Sequence, residues 1–197
     1  YPTAHFFEQN DTFVWYQKFQ GHWWQTHLTY HPCNVVAWRG NYAPYQYDLR
    51  LFNTLNSVSF DHPDPSIFTV LTSTSDTSGV ANVDLAIFPP RWQVAEHTFR
   101  PPYFHRNVMS EFMGLIHGVY EAKQQGFTAG GCSLHNCFIP HGPDAQTYRQ
   151  ASQATLTPTQ IKHTLAFILE SRYAWQVTNT MYTKRQMDYL ACWQGLA

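Results

Sequence analysis

Short apolar runs, each closed by proline or glycine, set the rhythm of this chain. Residues 66–72, 83–88, 112–120 and 165–170 are rich in β-branched, aromatic and aliphatic side chains. Between them fall Gly79, Pro89-Pro90, Pro101-Pro102, Gly130-Gly131, Pro140 and Gly142-Pro143. Short strands between turn signals predict a mainly β fold, an antiparallel sandwich or barrel with a few short helices. Asp144 is placed to cap a helix running through Ala151. A second helix is predicted to begin near Thr157-Pro158, where proline suits a first turn, and a third to lie between Thr183 and Trp193. Residues 13–19 read as a helix or an irregular arm. No repeat, low-complexity tract or linker composition interrupts the chain. The division it suggests is an N-terminal arm, or remnant of a preceding region, over 1–35 and one domain over 36–197.

Composition narrows the function classes. Hydrophobic residues make up 44% and aromatics 17% of 197 residues, so a core can form without covalent staples. Charged residues reach only 13%, about half the usual share. Some of the seven tryptophans therefore belong against another domain or subunit, or in an unusually aromatic core. With 12 basic and 13 acidic residues the formal charge is -1, and no basic stripe exists for a phosphate backbone, so nucleic acid is not an expected partner. No apolar run approaches the roughly 18 residues of a membrane-spanning helix, so no membrane partner is expected either. Cys33, Cys132, Cys137 and Cys192 lack both CxxC spacing and the density of a secreted disulfide scaffold. Free thiols in a reducing cytoplasm are expected.

Eleven histidines make the chemistry worth pursuing. In Pro101-Pro-Tyr-Phe-His105-Arg-Asn-Val-Met-Ser-Glu111 an imidazole and a carboxylate stand six positions apart. Six helical steps would leave them about 240° apart around the axis. Six strand steps would separate them by about 20 Å. Both can reach one ion only if the chain folds back, with Glu111 opening the strand that follows. The loop Ser133-Leu-His135-Asn-Cys-Phe-Ile-Pro-His141-Gly-Pro-Asp144 supplies two more imidazoles among residues that restrict or free the backbone. Two histidines and one carboxylate form the facial set of non-haem iron(II) oxygenases. By spacing alone many such trios can be drawn, and the pattern also fits ordinary hydrogen-bonded histidines. His62 lies between Asp61 and Pro63; it fits a general base made more basic by the neighbouring acid, and it equally fits a turn capped by Asp61 and Asp64.

At these residues the chain resembles the homogentisate 1,2-dioxygenases. The resemblance is carried by residues 35–50, 60–72, 87–92, 96–116, 134–136 and 140–145, and so runs along essentially the whole chain. It implies a cupin-like β-barrel, iron(II) held by His105, Glu111 and His141, a general base at His62, and substrate contacts at Tyr120, His135 and His141. The implied reaction is cleavage of homogentisate by dioxygen to maleylacetoacetate, in tyrosine and phenylalanine catabolism. The implied assembly is a homo-oligomer, trimers pairing into hexamers in complete members. Against the family pattern, Arg39 stands where histidine is expected and Gln46 where lysine is expected, and the family's N-terminal domain is expected to be absent. A non-catalytic β-barrel fragment, or a dioxygenase of a related hydroxylated aromatic acid, are the alternatives.

Overall fold

The computed structural model describes residues 3–4, 11–32, 45–54, 56–58, 65–95 and 104–196. The chain divides into two compact units, Tyr1–Leu51 and Phe52–Ala197. The boundary expected after residue 35 lies outside the described residues.

In the first unit, β1 (Thr3–Ala4) pairs antiparallel with β4 (Tyr45–Gln46). β2 (Phe13–Phe19) and β3 (His22–Leu28) form a hairpin in unbroken register from Phe13↔Leu28 to Phe19↔His22. The helix or irregular arm expected at residues 13–19 is therefore a strand. Gln20 and Gly21 both have positive φ, 49° and 81°, which is the geometry of a two-residue hairpin turn whose twist matches its strands. The aromatic content of both arms suits the pleated ribbon better than a helix.

The second unit holds two sheets. Its elements are β5 (Asn56–Val58), a 3-10 turn over Pro65–Phe68, β6 (Thr69–Thr74), β7 (Ala81–Phe88), β8 (Arg91–Ala95), β9 (Ser110–His117), β10 (Cys132–His135), α1 (Ala145–Gln153), β11 (Thr159–Ile161), β12 (Leu165–Ser171), α2 (Asn179–Thr183) and a final 3-10 turn over Tyr189–Trp193. Five strands pair antiparallel in the order β10-β9-β12-β7-β6. Three more form β11-β8-β5, in which β5 runs parallel to β8. The mainly β, antiparallel class expected from the turn spacing is what the chain adopts, and it fits a cupin-like fold.

α1 starts where expected, with the Asp144 carboxylate accepting from the Thr147 amide at 2.7 Å. The helix expected at Thr157-Pro158 is instead β11. Thr159 and Ile161 are β-branched, and pairing with β8 outweighs the weak helical cue of one proline. The third helix lies earlier than expected, at Asn179–Thr183 behind a Thr178 cap, and Tyr189–Trp193 forms only a 3-10 turn. β9 stops at His117 because Gly118 turns left-handed, φ 81°.

Side chains alternate across the five-stranded sheet, so register decides which meet. Ala86, Ile168 and Met113 stand abreast on β7, β12 and β9, and join Phe68, Leu115 and Ala166 in the core. The next rung on the same face is charged: Asp84, Glu170 and Glu111, with His135 opposite Glu111 on β10. The apolar rungs form the floor of the unit, and the charged rung carries the chemistry.

Candidate metal centre and its surroundings

His105 and His141 lie far apart in sequence yet form a single antiparallel bridge. The His105 amide donates to the His141 carbonyl at 2.8 Å, and the His141 amide donates back at 2.9 Å. Their rings meet edge to face, centroids 4.6 Å apart. Between His105 and β9 the chain folds back through a turn closed by Asn107, whose side-chain oxygen accepts from the Met109 amide at 3.0 Å. The same side chain donates its amide to Glu111 Oε1 at 2.9 Å. Glu111, the second residue of β9, is thereby aimed at the bridge.

The loop after β10 is fastened on three sides. Wholly buried Ser110 accepts from the Cys137 amide at 3.1 Å. Asn136 exchanges two hydrogen bonds with the Trp175 backbone, at 2.8 and 3.1 Å. The Phe138 amide donates to the Asn107 carbonyl at 2.9 Å. Such anchoring fixes the loop's side chains against a rigid sheet, as a binding constellation requires.

The result is a cluster in which ligand atoms of His105, Glu111 and His141 lie within 4.8 Å of one another. His141 Nε2 is 3.0 Å from Glu111 Oε2, about the spacing of two neighbouring ligands each roughly 2.1 Å from one ion. The His141 Nδ1 proton is donated to the Ile139 carbonyl at 2.8 Å, which leaves the Nε2 lone pair facing the cluster. Although Glu111 is near, Nε2 is buried and makes no hydrogen bond of acceptable geometry. A buried imidazole nitrogen with its tautomer fixed and no donor to satisfy it suits a cation. Two nitrogens and one carboxylate oxygen fit a divalent transition ion.

Electrostatics follow from crowding. Burial works against the Glu111 carboxylate, but the His141 imidazole and then the Asn107 amide outweigh it and hold its pKa below the usual range. Burial likewise opposes a charge on His141, and the adjacent carboxylate raises its pKa in spite of that. His135 stacks flat on His141, ring centroids 4.3 Å apart, and burial with this imidazole neighbour pushes its pKa down to about 4. It is therefore neutral at pH 7. Burial and the Glu111 and Asp84 charges push Glu170 up to about 7. Burial raises the Tyr120 phenol well above its ordinary range.

Two cavities open onto the cluster among the described residues. One of about 730 Å³ is lined by His105, Glu111, Tyr120, Arg91, Asp84 and Glu170. That volume is of the size that encloses small organic ligands. A smaller one of about 110 Å³ shares His105, Glu111 and Tyr120 and adds His135, His141 and Lys123. Arg91 is buried and paired with Glu121, with its guanidinium over the Phe68 ring at 4.8 Å.

Of the residues singled out in the sequence, His105, Glu111, His141, His135 and Tyr120 are gathered around these cavities. His62 lies outside the described residues. Sequence reasoning missed Asn107, Ser110, Asn136, Glu170, Tyr189 and Trp193. Tyr189 and Trp193 close the site from the final turn: the Tyr189 hydroxyl is 3.0 Å from His135 Nε2, and the Trp193 indole donates to the Gly142 carbonyl at 3.0 Å. Asn107 carried a readable cue, an Asn two residues before the amide it caps; the others carried none. Cys132, Cys137 and Cys192 are free thiols. No helix among the described residues is long and apolar enough to cross a membrane.

Comparison with known proteins bears on this geometry. Residues 50–197 match the family model described as homogentisate 1,2-dioxygenase C-terminal, and residues 1–49 match the corresponding N-terminal model, so the N-terminal domain expected to be absent is represented in part. The homogentisate 1,2-dioxygenase of Legionella pneumophila subsp. pneumophila is 58% identical over 197 residues, covering 99% of this chain and 47% of that protein. The homogentisate 1,2-dioxygenase of Rhizobium etli is 54% identical, covering 99% of this chain and 44% of its own length. The chain thus spans about half the length of the curated relatives it matches.

Proposed function

From the premise that this chain belongs to the homogentisate 1,2-dioxygenase family, we propose that it carries that family's catalytic centre, within residues 36–197. In this reading His105, Glu111 and His141 hold iron(II), and the reaction opens the ring of homogentisate with dioxygen to give maleylacetoacetate. The observation that carries the reading is the buried, unsatisfied His141 Nε2 facing the Glu111 carboxylate and the His105 ring.

Iron(II) bound there supplies a Lewis acid for a phenolic oxygen and a redox centre for dioxygen, on coordination positions that three protein ligands leave open. The rest falls to the chain. Glu111 gives the centre its negative charge, and the Asn107 amide keeps one carboxylate oxygen occupied so that the other faces inward. His135, neutral at pH 7 and stacked on His141, offers a hydrogen-bonding imidazole without adding a second positive charge beside the metal. Tyr120 keeps its phenol proton at neutral pH and serves as a donor that orients substrate. His62 takes the phenolic proton as general base. With His105, Glu111 and His141 holding the metal, ring and dioxygen would meet within one site rather than by collision in solution.

The low charge content supports a homo-oligomer, as the family resemblance implies, and the free thiols support a cytoplasmic location. The test is anaerobic loading with ferrous iron, then homogentisate and air, following oxygen uptake and maleylacetoacetate absorbance. Glu111→Gln is expected to lose iron; His62→Ala is expected to retain iron and lose turnover. Absence of turnover after verified iron loading overturns the reading for this chain. Faster turnover of gentisate than of homogentisate would redirect it to another hydroxylated aromatic acid.

A further inference from the structure

A turn at the mouth of the site presents three side chains in succession. Lys123 donates its backbone amide to the Tyr120 carbonyl at 3.2 Å, so residues 120–123 close on themselves. Tyr120 reaches both cavities and Glu121 pairs with Arg91. Lys123 lines the smaller cavity, beside His135, His141 and Glu111. Its ammonium sits 5.2 Å from the centroid of the Tyr189 ring, whose hydroxyl meets His135.

Charge bookkeeping separates the two cations that line the cavities. Arg91 is neutralised by Glu121. Lys123 makes no ion pair among the described residues, and its ammonium lies over the face of the Tyr189 ring. A ring face holds an ammonium in place without neutralising it. A half-buried ammonium at a small cavity whose other walls include Met113, Phe127 and Ile168 is a receptor for an anion, and the Tyr189 ring restricts where it can swing. Glu111, the one carboxylate among the described residues that line this cavity, is committed to the ligand cluster.

We propose that Lys123 is the counter-charge for the carboxylate arm of the aromatic acid, and so the residue that selects substrates bearing such an arm. This rests on the function proposed above. Iron fixes the hydroxylated ring, while Lys123 measures whether an anionic arm extends toward the small cavity.

The test is equilibrium binding to the iron-loaded full chain under anaerobic conditions, comparing homogentisate with 2-methylhydroquinone, which keeps both hydroxyls and lacks the carboxylate. The unaltered chain is expected to favour homogentisate. In Lys123→Met that preference is expected to fall about ten- to hundredfold, the scale of a lost charged hydrogen bond, with 2-methylhydroquinone binding and iron retention unchanged. Lys123→Arg is expected to restore much of it. If Lys123→Met keeps the full preference, the assignment of Lys123 is overturned and the dioxygenase reading survives. If the unaltered chain holds iron and binds neither ligand, both are overturned. If it binds the two equally, the claim of carboxylate selection is overturned without any variant.

Discussion

Three carboxylates stand abreast on neighbouring strands, Asp84 on β7, Glu170 on β12 and Glu111 on β9, and the middle one is buried between two acidic neighbours. Glu170 is raised from an ordinary value of 4.5 to about 7, by burial first and then by its two acidic neighbours. Between those values the folded chain keeps a proton that the unfolded chain has released. Stability must therefore fall as pH rises from 4.5 to about 7, and stay level above that. The ceiling on the loss is roughly 3 kcal/mol, and residual solvent around the carboxyl brings the expected value to about 1–3 kcal/mol. His135 acts with the opposite sign: its folded pKa of about 4 lies below the usual 6.5, so its contribution rises with pH between those values. The two partly cancel in the unaltered protein. Glu170→Gln keeps the shape of the protonated acid and removes only the first contribution. Urea unfolding of the metal-free chain should therefore give matching stabilities near pH 4.5 and a variant more stable by about 1–3 kcal/mol near pH 7.5. A difference that stays constant with pH would refute the reasoning, because a mere packing effect of the amide does not titrate.

Other perturbations test separate parts of the structure. Asn107→Ala removes both the turn closure and the amide on Glu111, and should weaken iron binding about ten- to hundredfold in competition with a chelator. Gly118→Ala must place a Cβ 2.1 Å from the His163 carbonyl oxygen at φ 81°, and should cost roughly 2–4 kcal/mol in a thermal melt. Trp193→Phe keeps most of the ring but loses the bond to the Gly142 carbonyl, which predicts a loss of about 1 kcal/mol by denaturant titration. Stripping the iron-loaded chain with a chelator should lower its melting temperature, since binding to the folded state alone adds stability. An unchanged melt would mean that the cluster does not hold the ion.

How much of this was written in the sequence can be followed residue by residue. Turn spacing gave the β class, Asp144 gave the cap of α1, and the impossibility of placing His105 and Glu111 on one element required the chain to reverse between them. Asn107 performs that reversal. Local cues misled where pairing overruled them: Pro158 suggested a helix, but β8 offered Thr159–Ile161 a ladder, and the hairpin β2–β3 took a segment read as an arm.

Chemical identity along a chain is local, and so the sequence by itself determined which residues are able to ligate, cap and turn. Which of two histidines, His135 or His141, faces Glu111 with a free nitrogen is decided by the Ile139 carbonyl and the His105 bridge. That Glu170 joins Asp84 and Glu111, and that Tyr189 closes over His135, is decided by strand register and by the return of the final turn. Such encounters join residues tens of positions apart, and no periodicity along the chain encodes them. Only a packed sheet, in which a shift of one residue would turn every side chain to the other face, sets them side by side.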